Sequence, residues 1–251
     1  MSSEYAFCSV SISPLRESPA DSSEMVSQFI FGEIMEILET KNQWRKVKSL
    51  SDSYLGWLDE KCITKLNDEE VRDWKSSQIL LFNATMVLES DEGPIHLTKG
   101  AFVSKSDDEF RIGEKEFKIA QEKSSIPLEI AEIAKSYLNA PYLWGGKTLF
   151  GIDCSGFSQM VYRFKGISIP RDADLQAKVG EEISFSLKQE GDLAFFINSK
   201  GKIHHVGIVL SDNKIIHAHG WLRIDELDEK GILGRSNEKY SHNLALIKRH
   251  V

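Results

Sequence analysis

Hydrophobic and polar positions change their rhythm twice along this chain. From residue 5 to about 66 they alternate as in β structure: Cys8-Ser9-Val10-Ser11-Ile12, then Ile34-Met35-Glu36-Ile37-Leu38, then Trp44-Arg45-Lys46-Val47, with Tyr54-Leu55-Gly56-Trp57-Leu58 closing the segment. Gly32 begins the second run, Lys41-Asn42-Gln43 supplies a turn before Trp44, and the acidic stretch Asn67 to Asp73 leads out. Residues 78–120 carry short runs again, and Phe110-Arg111-Ile112 and Phe117-Lys118-Ile119 around Gly113-Glu114 predict a hairpin. About forty residues make a thin layer, so this segment is expected to lean on a neighbour for its core. It shows no convincing repeat of the first segment.

The third stretch, 126–251, has another pattern. After Pro127, Ile130, Ile133, Ala134, Tyr137 and Leu138 recur at helical spacing. A loop of glycine and aromatic residues follows, Pro141-Tyr142-Leu143-Trp144-Gly145-Gly146, and a second helix is predicted from Cys154, with Phe157, Met160, Val161 and Phe164 on one face. Strands are predicted at Asp192–Ile197, His205–Leu210 and Lys214–Ala218, separated by polar turns at Asn198–Lys202 and Ser211–Asn213. Helices followed by antiparallel strands define an α+β unit. The expected organisation is a β-barrel over 1–68, a second small β-barrel-like domain over 78–122, and the α+β domain over 126–251.

Composition narrows the function classes. Of 251 residues, 41% are apolar and 27% charged, as in an ordinary globular protein. The net charge of −7 is uneven, because residues 1–125 hold 15 basic and 23 acidic side chains while 126–251 hold 16 and 15. Neither half offers a basic face for phosphate backbones, so no nucleic-acid partner is expected. No apolar run approaches the roughly 20 residues that span a bilayer, and no membrane association is expected. Residues 1–20 lack a basic start followed by an apolar stretch, which leads to the expectation of a cytoplasmic protein. Cys8, Cys62 and Cys154 are too few and too scattered for a disulfide framework or a zinc knuckle.

Cys154 carries the candidate chemistry. At the start of a helix, unpaired N–H groups and the positive dipole end favour a thiolate, and an accessible thiolate of low pKa is expected. Such a nucleophile needs a base, and His205 and His217 follow at the start of one predicted strand and the end of the next. A tight turn sets them side by side, one to accept the thiol proton and the other to orient it.

Five motifs now resemble a known family: Asp153-Cys154-Ser155-Gly156-Phe157, Ile169-Pro170-Arg171-Asp172-Ala173, Gly191-Asp192-Leu193-Ala194-Phe195-Phe196, His205-Val206-Gly207-Ile208 and Ile216-His217-Ala218. Their order and spacing look like the NlpC-type cysteine peptidases of cell-wall metabolism. The Gly, Ile-Leu-Glu, turn, Trp-x-x-Val and Tyr-x-Gly-Trp pattern of the first segment resembles a bacterial Src-homology-3 barrel. Together they are similar to the dipeptidyl-peptidase VI branch, the γ-D-glutamyl-L-diamino acid endopeptidases.

The resemblance implies a papain-like fold with Cys154 as nucleophile, His205 as base and acid, His217 as its orienting partner, and an oxyanion hole from the Cys154 N–H with the Tyr142 hydroxyl. It implies that Asp153 holds the free amino group of an N-terminal L-Ala, that Glu24 and Tyr54 of the first barrel close that end of the groove, and that Trp144 and Ser155 line it. The implied substrate is a murein-derived peptide, with no metal or cofactor, acted on by a monomer. A hydrolase of the intact wall and a catalytically inactive murein-peptide-binding protein stay open as alternatives.

Several residues have plainer readings. Asp153 suits a helix N-cap. His204 and His205 point to opposite faces of a strand, so only one meets Cys154, and the family spacing picks His205. A metal pair of His217 and His219 lacks further ligands at suitable spacing. Cys8 and Cys62 read as strand-packing residues, and Gly145-Gly146 as backbone clearance beside substrate.

Overall fold

The computed structural model describes residues 4–119, 121–234 and 239–250, which gather into two compact units, Met1–Ser125 and Ile126–Val251. The first unit opens with seven antiparallel strands: β1 (Glu4–Cys8), β2 (Ile12–Arg16), β3 (Met25–Ile30), β4 (Ile34–Lys41), β5 (Trp44–Ser49), β6 (Leu55–Asp59) and β7 (Ile63–Leu66), ordered β3-β2-β6-β5-β4-β1-β7. The alternation at 8–12 is a corner between β1 and β2 and not one strand, because the Ser9 N–H bonds to Cys62 and the Ser11 carbonyl to Phe31. Asn42 takes φ 53° in the β4–β5 turn, a conformation asparagine tolerates. Ala6, Cys8, Leu15, Phe29, Met35, Val47 and Leu58 fill the barrel. Cys62 sits in a 3₁₀ turn, Glu60–Cys62, outside the strands.

The acidic exit is a helix, α1 (Asp68–Ser77), closed by a capping box between Asn67 and Glu70. Its acidic first turn suits the positive end of the helix dipole. Six short strands follow: β8 (Gln78–Leu80), β9 (Thr85–Ser90), β10 (Ile95–Thr98), β11 (Phe102–Ser104), β12 (Glu109–Ile112) and β13 (Lys115–Ile119), the last two forming the expected hairpin. They share a core with the first barrel. Phe117 lies edge-on to Phe31 at 5.2 Å and to Phe7 at 6.4 Å, while Trp74 stacks on Phe110 and donates to the Gly32 carbonyl at 2.9 Å. This common aromatic core makes one unit of the two β segments read separately from the sequence.

The second unit begins with α2 (Ile130–Lys135), shorter than its apolar spacing predicts, since the chain leaves the helix in turns before Asn139 at φ 69°. Two short strands, β14 (Lys147–Thr148) and β15 (Gly151–Ile152), precede α3 (Cys154–Phe164), whose Phe157, Met160 and Val161 are wholly buried. After α4 (Ala173–Gln176) come β16 (Glu181–Ile183), β17 (Leu193–Ile197), β18 (Ile203–Leu210), β19 (Lys214–His219), β20 (Trp221–Leu227), β21 (Gly231–Leu233) and β22 (Tyr240–Arg249). They run β16-β22-β17-β18-β19-β20-β21, and an added β21–β22 pairing closes six of them into a barrel. The unit is α+β, with its sheet closed on itself.

Inside that barrel, Ala194, Val209, Ile215, Leu227 and Ile247 pack together toward one end. Register then dictates what shares their face. His217 pairs with Gly207, His205 lies two residues before Gly207, and Arg223 pairs with His217. All project to the same side at the other end. Gly207 is required there, since a Cβ would stand 2.9 Å from the His217 Cβ and 2.7 Å from Ile215.

Candidate active site

The two histidines expected to act together do meet. His205 Nε2 lies 2.9 Å from His217 Nδ1, and His217 Nε2 lies 3.0 Å from Asp225 Oδ2, which also accepts from Arg223 Nε at 2.7 Å. Asp225, 3% exposed, is the member the sequence reading missed, and its only signal is alternation in Arg223-Ile224-Asp225.

The chain of bonds sets the tautomers. Arg223 holds Asp225 as a carboxylate, which only accepts, so His217 donates from Nε2 and keeps its lone pair on Nδ1. His205 must then donate from Nε2, which leaves Nδ1 as its basic atom. Burial, ahead of the neighbouring imidazoles, holds His205 well below its ordinary pKa, and burial also lowers His217 against the opposing pull of Asp225. Both rings are therefore neutral near pH 7, as a base and its orienter require.

A third ring joins them. His242 of β22 stacks on His205 with centroids 4.1 Å apart, and burial, then His217, lowers its pKa to about 3. His204 is exposed as expected, with Nδ1 3.2 Å from the Phe196 carbonyl, and His219 is exposed too.

Cys154 opens α3, and as the first helical residue its own N–H has no intrahelical partner. The backbone N–H groups of Val206 and Ser155 lie near its sulfur and favour the thiolate. Val206 directly follows His205, so the peptide beside the sulfur is the one next to the candidate base. The expected accessible thiolate of low pKa is corrected here. Cys154 is 6% exposed, and burial, then the Asp153 charge, pushes the thiol up to about 12, outweighing the backbone donors and Arg171. Among the described residues no hydrogen bond joins Cys154 to His205. Such bonds are commonly long in resting active sites.

Asp153 is also corrected. Its two oxygens accept five hydrogen bonds, from the Gly145 and Gly156 N–H groups, both Arg171 terminal nitrogens and the Ser155 hydroxyl. At 4% exposure it has no free acceptor for a substrate ammonium, so it caps α3 and pairs with buried Arg171. The Ser155 hydroxyl is enclosed in the same network, accepting from Arg171 at 2.9 Å, and does not line an open groove. Gly146 has a structural reason, since its Cβ would strike the Gly151 carbonyl at 2.4 Å; the clearance serves backbone packing and not substrate.

Tyr142 and Trp144 are exposed on the loop before β14. Tyr142 feels Cys154 and Asp153 electrostatically, and burial ahead of both raises its phenol to about 12, so it stays a neutral hydroxyl donor. Glu24 and Tyr54 belong to the first unit. Glu24 is exposed just before β3, whereas Tyr54 is half-buried against the barrel core.

A cysteine at a helix start beside a barrel-borne histidine relay defines a cysteine hydrolase of papain type. Residues 139–238 match the NlpC/P60 family, and residues 15–63 match the bacterial dipeptidyl-peptidase SH3 domain. The chain thus carries an NlpC/P60 cysteine-peptidase domain behind a bacterial SH3 domain of the dipeptidyl-peptidase kind.

The γ-D-glutamyl-L-lysine dipeptidyl-peptidase of Bacillus cereus is 28% identical over 228 residues, covering 79% of this chain and 68% of the relative. Its Bacillus subtilis namesake is 41% identical over 102 residues, which cover 40% of this chain and 34% of that protein. A crystal structure of an NlpC/P60 family protein from Bacillus cereus shares the fold with a TM-score of 0.79 at 23% identity, over 98% of this chain and 99% of that one.

Proposed function

We propose that this chain is an endopeptidase of murein peptides that cuts the bond between γ-D-Glu and diaminopimelate, or Lys, in peptides with a free N-terminal L-Ala. The observation that carries this reading is the His205–His217–Asp225 relay, whose His205 adjoins the Val206 peptide beside the Cys154 sulfur. The named activity of the Bacillus cereus relative supports the choice of bond.

In the proposed reaction His205 Nδ1 takes the thiol proton as sulfur attacks the γ-carbonyl carbon. The oxyanion forms against the Cys154 N–H and the Tyr142 hydroxyl. The tetrahedral intermediate collapses to a thioester as His205 protonates the departing amine of the diamino acid. Water, deprotonated by His205, then releases L-Ala-γ-D-Glu and restores the thiol. Abstracting a proton from a thiol of such high pKa is the costly step, so transfer concerted with attack suits this site better than a preformed thiolate. Trp144, exposed on the loop before β14, lines the groove on the catalytic unit. The substrate would be free peptide in murein recycling.

Incubation with L-Ala-γ-D-Glu-diaminopimelate, its N-acetylated copy and purified sacculi tests this. The free tripeptide should be cut at least tenfold faster than the acetylated one, with no turnover by Cys154→Ala. Equal cleavage of both defeats recognition of the amine. Release from sacculi without cleavage of the tripeptide favours the wall-acting alternative, and no cleavage of any substrate defeats the reading.

A further inference from the structure

We propose that His205, His217 and His242 form a binding site for a divalent transition-metal ion of the zinc class, and that occupation of this site silences His205. The proposed peptidase chemistry uses two of these rings and leaves His242 without a task. Each residue brings one ring nitrogen, and the three nitrogens lie within 4.8 Å of one another. With metal–nitrogen bonds of about 2.0–2.1 Å, two nitrogens on one tetrahedral ion stand about 3.3 Å apart. His205 Nε2 and His217 Nδ1, at 2.9 Å, are already near that spacing, whereas the His242 ring, stacked 22° from parallel on His205, must turn as well as shift to aim a nitrogen at the same ion.

The surroundings suit ligation. His217 donates Nε2–H to Asp225, and Asp225 is held in turn by Arg223, the carboxylate–histidine arrangement that orients a ligand ring. Ser241 Oγ lies 3.4 Å from the Ile232 carbonyl and 2.9 Å from His242 Nδ1. The hydroxyl donates to the carbonyl and accepts from Nδ1–H, which leaves the Nε2 lone pair of His242 available. Imidazole sets of this kind select zinc, copper, nickel or cobalt over magnesium and calcium. His219, with its ring 4.9 Å from His242, and His204, at 5.6 Å, are the other titratable rings facing the cluster.

Coordination has a proton balance that explains the silencing. The single proton between His205 Nε2 and His217 Nδ1 must leave, because both lone pairs go to the metal. It moves to His205 Nδ1, with no net release. The atom that would accept the thiol proton then carries one, so metal and catalysis exclude each other.

The site stands on imidazole geometry alone and is tested without substrate. Zinc chloride is titrated calorimetrically into the chelator-stripped full chain in a non-coordinating buffer, alongside His242→Phe, His242→Asn, His219→Ala and Cys154→Ser. One zinc per chain is expected, with affinity at least tenfold lower in both His242 variants and within threefold for His219→Ala and Cys154→Ser. Histidine-selective NMR of the unaltered chain gives a readout that needs no variant: the rings of His205, His217 and His242 should shift on adding zinc. Unchanged affinity in the His242 variants, loss of binding in Cys154→Ser, or shifts confined to other histidines overturns the proposal.

Discussion

His217 donates from Nε2 to Asp225 across 3.0 Å, and this one bond determines which nitrogen of each histidine carries a proton. A carboxylate cannot donate, so the lone pairs pass along the relay to His205 Nδ1. Asp225→Asn keeps the shape but allows the amide to donate, which favours the opposite tautomers. We expect kcat to fall by about 10²-fold or more with little change in KM, by analogy with carboxylate-to-amide changes in catalytic triads. Steady-state kinetics on the free tripeptide checks this, and a change confined to KM argues against the tautomer role.

Cys154 should alkylate slowly at neutral pH. Its thiol is raised to about 12 by burial and by Asp153, so its thiolate fraction climbs with pH without a plateau near neutrality. Peptide mapping after iodoacetamide treatment from pH 7 to 10 should show Cys62 reacting first and Cys154 rising throughout. The linkage follows the same sign: the unfolded thiol, near 9, loses its proton first, so this group's contribution to stability is present below about pH 9 and is lost as pH climbs toward 12. A levelling of Cys154 reactivity below pH 8 contradicts the burial argument.

The Asp153–Arg171 pair separates a structural carboxylate from a substrate ligand. Arg171 is 2% exposed, and removing one partner of a buried pair leaves an uncompensated charge, at a cost of about 3–5 kcal/mol. Arg171→Leu should lower the urea midpoint of the catalytic unit accordingly, and Arg171→Lys should recover little because the two-pronged contact is lost. If Asp153→Asn instead raises KM for free-amine peptides and leaves stability unchanged, the carboxylate serves the substrate.

Phe117→Ala tests whether the two N-terminal β segments fold together. The ring is 4% exposed and lies between Phe7 and Phe31, so truncation should cost about 3–5 kcal/mol. Fluorescence and circular dichroism should report one shared transition for Met1–Ser125 at a lower denaturant concentration. Two separate transitions mean two independent cores.

Cys154, His205 and His217 were legible because each sits in a short local motif: a helix start with its apolar face, and two alternating strands joined by a polar turn. Strands β4, β5 and β6 of the barrel, the hairpin at Gly113-Glu114 and the α+β order were legible for the same reason, since periodicity is local, whereas the alternation at 8–12 belongs to a corner that only the folded barrel makes. Helix α1 escaped because its charged first turn reads as linker until Asn67 and Glu70 close the cap.

What the sequence by itself determined about this protein is therefore the candidate cysteine, the two histidines that the fold brings together and the elements that carry them. Tertiary structure alone decided the partners that make them work or restrain them. Asp225 and His242 reach the histidines only because β20 and β22 close the barrel, a pairing that depends on long-range register. Arg171, quoted in the motif, becomes the buried counter-ion of Asp153 only when the chain folds back on the start of α3. The raised thiol of Cys154 belongs to neither residue type nor spacing. It follows from how much water the folded chain excludes around the sulfur, a quantity that exists only in three dimensions.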